Sequence, residues 1–96
     1  MVFRVTVHLW QTPGAARAFR QFEDQAMEIM RGYGAEITVE VPEGAEVPDE
    51  IHHLTFPSPA EFTAYRLDHR LQDLAPLREQ GVQKTALFWP DGPPEA

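Results

Sequence analysis

Cysteine and asparagine are absent from this chain, serine and lysine occur once each, and no apolar run extends beyond a few residues. Each absence closes a route. Without cysteine there is no disulfide, no thiolate nucleophile and no cysteine-held zinc or iron–sulfur centre, a usage that suits a reducing cytoplasm. Because Arg4 and His8 interrupt the first apolar stretch, neither a signal peptide nor a membrane span is expected. The lone serine, Ser58, stands between Pro57 and Pro59 with Glu61 three residues on, the position of a helix cap. A Ser-His-Asp triad would need it in two roles. The lone lysine, Lys84, falls mid-strand, where a solvated pleat position suits it better than a Schiff base. Basic side chains are scarce too: eight against fifteen acidic ones give a net charge of -7. Such a surface repels phosphate backbones and anionic lipids, so neither nucleic acid nor a membrane is expected as partner. Gly32-Tyr33-Gly34 follows a helix and precedes a strand, the reverse of a dinucleotide fingerprint, and there is no P-loop. Nothing in the chain calls for a cofactor.

What is present is two strand-helix-strand units in 96 residues. Residues 2–10 alternate, with Phe3, Val5, Val7 and Leu9 on one face and Arg4, Thr6, His8 and Trp10 on the other. Thr12-Pro13 reads as the N-terminal cap and first turn of a helix, along which Ala18, Phe19, Phe22, Ala26, Ile29 and Met30 recur at helical spacing. Residues 35–41 alternate again, 42–49 read as a loop, and 50–56 form a third strand stopped by Pro57. A second helix starts at Ser58, breaks near residues 68–70, and continues as a short helical piece ending before Gly81. Residues 82–89 supply the last strand. The expected domain is 1–90, with 91–96 a flexible C-terminal tail.

The order βαββαβ defines an α+β, ferredoxin-like fold: a four-stranded antiparallel sheet, strands one and three central, with helices on one face. The other face is expected to carry Trp10, Leu87 and Trp89 among polar residues, too apolar to stay wet. A domain this small buries only about two thirds of its unfolded surface, so covering that face by association is favourable.

Gly32-Tyr33-Gly34, His53-Leu54-Thr55-Phe56-Pro57-Ser58, Phe62, Tyr65 and Leu74-Ala75-Pro76-Leu77-Arg78 resemble an uncharacterised family of the dimeric α/β-barrel superfamily. Thr55 stands where that family carries an acid, and Gln11 or Thr12 replaces its Asp. The resemblance implies a homodimer whose two sheets close into a barrel, with a small organic molecule as ligand or substrate. Relatives in the superfamily bind aromatic or polyketide-like compounds. Its cofactor-free monooxygenases often use an Asn-Trp-His set, which a chain without asparagine cannot supply.

Strand parity places His8 and His53 on one face of the two central strands, with Glu36 and Glu40 beside them. An imidazole pair with carboxylate support can exchange protons near neutral pH, which makes His8 and His53 candidate catalytic residues. Adjacent His52 points to the opposite side and is no joint ligand with His53. Trp10, Tyr65, Arg66 and His69 are candidate ligand-binding residues, the last three bordering a pocket between the second helix and the sheet. Ordinary amphipathic character explains the same helix residues without a ligand. The rival to a small-molecule binder is a non-catalytic module whose sheet face serves only homodimerisation.

Overall fold

The alternating residues at the start of the chain form strand β1 (Phe3–Gln11), whose Phe3, Val5 and Leu9 are buried, in a computed structural model that describes residues 1–94. Helix α1 (Ala16–Gly32) follows, then β2 (Glu36–Glu40), β3 (Glu50–Phe56), helices α2 (Pro59–Leu67), α3 (His69–Gln72) and α4 (Ala75–Gly81), and β4 (Val82–Phe88). The strands order as β2-β3-β1-β4, all neighbours antiparallel. This is the βαββαβ architecture that the strand and helix periodicities predict.

Helix α1 begins later than expected. Gly14 at φ +80° turns the chain out of helical space, and Ala15 N–H bonds back to Thr12 O at 3.0 Å, so Thr12-Pro13-Gly14 is a turn and Ala15 an uncapped start. The other end closes cleanly. Gly34 at φ +83° lets its own N–H reach Arg31 O and that of Ala35 reach Met30 O, the paired bonds of a Schellman cap. A Cβ on Gly34 would stand 2.8 Å from Pro57 Cγ, so the helix end and the end of β3 pack without a side chain between them.

Ser58 caps α2 by accepting from Ala60 N–H at 3.2 Å, while its hydroxyl donates to Glu61. The chain then breaks at Asp68, whose extended ψ of 128° ends α2. Its carboxylate opens α3 by accepting from Arg70 N–H at 2.8 Å and also receives the Tyr33 hydroxyl at 2.6 Å. The piece beyond is two helices rather than one, because the pyrrolidine of Pro76 fits only the first turn of a new helix.

Two apolar clusters fill the space between helices and sheet. One joins Phe3, Leu54, Phe56, Phe62 and Tyr65, and the other joins Leu9, Phe19, Phe22, Ala26 and Val82. Each large apolar side chain so buried stabilises the fold by about 1.5 to 3 kcal/mol.

Strand β4 corrects one expectation. Leu87 and Trp89 lie on the helix side: Leu87 pairs with Val7, and the Trp89 ring packs 5.7 Å from Phe62. The outer face carries Lys84, Ala86 and Phe88 instead, opposite Trp10, His8 and Thr6. The cause is a register shift between Trp10 and Gln11 that pairs Gln11 with Val82 and leaves Gln83 unmatched. One extra residue reverses the parity of everything after it, so inward Val82 does not make Ala86 inward. Asp91, the first residue of the expected tail, is tied to β1: it accepts from Arg4 N–H at 3.0 Å and from the Arg4 guanidinium at 2.6 Å. Residues 95 and 96 of that tail lie outside the described residues. Among the described residues, no helix is long and apolar enough to cross a membrane.

Candidate functional site

Glutamate in the middle of an apolar helix stripe is costly unless something uses it. Glu23 of α1 sits between Phe19 and Ala26, is 2% exposed, and faces the sheet. Inward parity on β3 brings Glu50 and His52 to meet it, on the same side as Leu54 and Phe56. His52 Nε2 lies 2.8 Å from Glu50 Oε1, and its Nδ1 lies 3.8 Å from Glu23 Oε1. Arg20, one turn before Glu23, forms an ion pair with Glu50 and a second with Asp24 at 3.0 Å.

These neighbours divide the protons. Burial pushes Glu50 up, but hydrogen bonds from Arg20 and His52 outweigh it and hold the carboxyl below its ordinary value. Glu50 is therefore an ionised acceptor, and His52 donates to it from Nε2, leaving Nδ1 as the acceptor that faces Glu23. Burial also lowers the His52 pKa, keeping the ring neutral. Glu23 behaves in the opposite way: burial, then the charge of Glu50, raise its carboxyl from 4.5 to about 7. Its Oε2 is buried and has no hydrogen-bond partner among the described residues.

Glu23 borders a cavity of about 370 Å³ between the sheet and the helices. Leu54, Phe62, Tyr65 and Leu71 line its apolar body, and Arg66, Gln72 and Arg78, all exposed, lie along its mouth. Arg66 lies 5.6 Å over the Phe62 ring, and Arg78 donates to Thr85 Oγ1 at 3.2 Å. Burial, then the nearby Glu23 charge, push the Tyr65 phenol well above its usual value, so it stays protonated. A buried carboxyl poised near neutrality, an imidazole acceptor and a phenol around an apolar space can bind and exchange a proton.

The residues singled out from sequence are divided between two places. Tyr65 and Arg66 border the cavity, whereas His69 is exposed on α3 and does not. His8, His53 and Trp10 lie on the outer sheet face, away from the helices. His8 and His53 are diagonal neighbours there, since His8 pairs with Ile51 and His53 with Thr6. Their surroundings differ. His53 meets Glu40 at 2.9 Å, while the His8 ring packs 4.6 Å from Phe88 and 6.1 Å from Trp10. Lys84 stands 4.5 Å over the Trp10 ring. Sequence reasoning passed over Glu23, Glu50 and His52. The available signals were the charge within the α1 stripe and the parity that sends Glu50 and His52 inward with Leu54.

Solved structures resemble the whole chain. A protein of unknown function from Rhodopseudomonas palustris superposes with a TM-score of 0.72 at 16% identity, over 96% of this chain and 84% of that one. A dimeric protein of unknown function and ferredoxin-like fold from Bacteroides fragilis gives 0.69 at 8% identity, over 91% and 92%. The fold is ferredoxin-like. A DABB family protein with a ferredoxin-like fold from Mesorhizobium loti also gives 0.69, at 16% identity over 95% and 98%. No family model and no curated protein matches the sequence. At such identities the ferredoxin-like likeness carries architecture and not activity.

Proposed function

We propose that this protein binds a small organic molecule in the cavity between sheet and helices and exchanges a proton with it through Glu23, acting as a cytoplasmic homodimer. One observation carries the reading: Glu23 borders the cavity, and its buried Oε2 has no hydrogen-bond partner among the described residues. A buried carboxyl without a hydrogen-bond partner is destabilising, and a bound hydroxyl or acidic C–H reaching it from the cavity would relieve that cost. In a proton shift within one molecule, Glu23 takes a proton from one atom and returns it to another, so no second reactant is needed. His52 Nδ1, backed by Glu50 and Arg20, is placed to share that proton while it is in transit.

Support for the homodimer comes from the outer face, where Phe88 is 49% exposed beside His8 and Trp10. The Bacteroides fragilis protein of this fold is dimeric. In this reading His8 and Trp10 belong to the subunit interface and the His53–Glu40 pair to its rim. The cysteine-free composition favours the cytoplasm.

Protein-observed NMR with a chemically diverse fragment library tests the reading. Binding should shift resonances of Leu54, Tyr65, Leu71 and Thr85 together, and Leu87→Trp, which fills the mouth, should abolish the shifts. If no fragment moves that set, the binding reading fails and the sheet-face dimerisation module takes its place.

A further inference from the structure

We infer that the bound molecule is an organic monoanion, its charged group held by Arg66 and Arg78 at the mouth while its apolar body points toward Glu23. This rests on the cavity being the binding site, and names the class of compound it takes. The chain is strongly acidic, with 15 Asp and Glu against 8 Lys and Arg, so a guanidinium has many carboxylates to choose from. Arg4 and Arg70 each have one, Asp91 and Asp68, and Arg20 has two, Asp24 and Glu50. Arg66 and Arg78, like Arg17 and Arg31, have none among the described residues, but of these four only Arg66 and Arg78 border the cavity, each in contact with its lining. Arg66 lies over the Phe62 ring and Arg78 donates to Thr85 Oγ1, and Phe62 and Thr85 both border the cavity. They come from separate helices, α2 and α4, so local helix spacing did not bring them together.

A planar guanidinium fixed in this way is suited to a carboxylate, sulfonate or phosphate, whose oxygens take its forked donors. The interior sets the other end of the molecule. Glu50 and Asp24 are each paired with Arg20, and Glu23 borders the cavity together with Leu54, Phe22 and Ala26. An ammonium group entering beside Arg66 and Arg78 would be repelled, so the inner end is neutral, with one hydrogen-bonding or acidic hydrogen.

Benzoate, naphthoate and phenylbutyrate, each beside its primary amide and the corresponding amine, provide the probes. Their affinities are measured by NMR titration on the intact protein and on Arg66→Gln, Arg78→Gln and the double variant. At least one carboxylate should bind about tenfold or more tightly than its amide, the scale of one charge-assisted hydrogen bond. Each single variant should lose part of that preference and the double variant all of it, with unliganded Leu54 and Tyr65 resonances matching wild type as the control for an intact cavity. Equal affinity for acid and amide, or tighter binding of the amine, would overturn the anion inference while leaving the cavity reading in place. Binding of no probe, with no shift at Leu54 or Tyr65, would overturn both.

Discussion

Glu23 and His52 face each other across 3.8 Å in the core, one from the long helix and one from a central strand, and neither side chain is more than 3% exposed. Their titrations oppose one another, because burial alone drives the carboxyl up and the imidazole down. Whichever group carries a charge in this place does so at a cost, and that cost sets how the protein responds to pH.

The folded Glu23 carboxyl, at about 7, lies above its ordinary 4.5, so the folded state holds more protons between those pH values. Stability therefore falls as pH rises through that window, by about 3 kcal/mol over its whole width. Glu50 and Asp24 contribute to the rise, Arg20 and Arg78 oppose it, and Tyr65 and His52 stay neutral beside it. Urea unfolding should find Glu23→Gln close to wild type at about pH 5 and clearly more stable at about pH 8. Parallel pH profiles for the two proteins would refute the assignment. His52 acts the other way, its lowered value removing stability as pH falls through and below the ordinary 6.5, equally in both proteins.

Ser58 tests the entry to α2. Its Oγ satisfies the Ala60 amide, so Ser58→Ala should cost about 1 kcal/mol, read as a lower urea midpoint with an unchanged slope. Ligand binding should persist in the folded variant. Loss of binding there would give the serine a role beyond capping.

Two glycines should respond with opposite sign. A Cβ at Gly81 would meet Phe19 N at 2.4 Å and Ala18 C at 2.7 Å, backbone atoms that cannot swing aside. Gly81→Ala should destabilise by about 1 to 3 kcal/mol through forced separation of α4 from α1. Gly32, in the last turn of α1, has nothing within 4 Å of its Cβ position. Gly32→Ala should stabilise by up to about 1 kcal/mol. Thermal unfolding of the two variants decides, and matching signs would contradict the packing.

The register of β4 makes a prediction about assembly. Trp10 and Phe88 are on the outer face and Leu87 is not. Phe88→Glu and Trp10→Glu should each weaken the dimer about tenfold or more, the scale of one large apolar side chain left unburied. Leu87→Glu should leave it intact, as sedimentation velocity across a dilution series can show. A wild-type protein that sediments as a monomer at every concentration would remove the homodimer from the proposal.

Local chemistry made much of this protein legible in its sequence. Alternation settled β1 and β2, Pro57 the end of β3, and the Ser58–Glu61 spacing the start of α2, which breaks near residues 68–70 as expected, because each signal lies within a turn or two of its effect. The order of elements then left one sheet with helices on a single face. The face of β4 was not legible, since Ala86-Leu87-Phe88-Trp89 is apolar throughout and one unmatched residue inverts its parity. Nor was the site. Glu23 and Glu50 are 27 positions apart, and each alone reads as one more acidic side chain in an acidic chain. Only packing α1 against β3 removes both from water, gives Arg20 to one of them, and leaves the other with a buried free oxygen. Charge is encoded residue by residue, whereas desolvation belongs to the assembled fold, and it is desolvation that turns Glu23 into a group able to hold or release a proton near neutral pH.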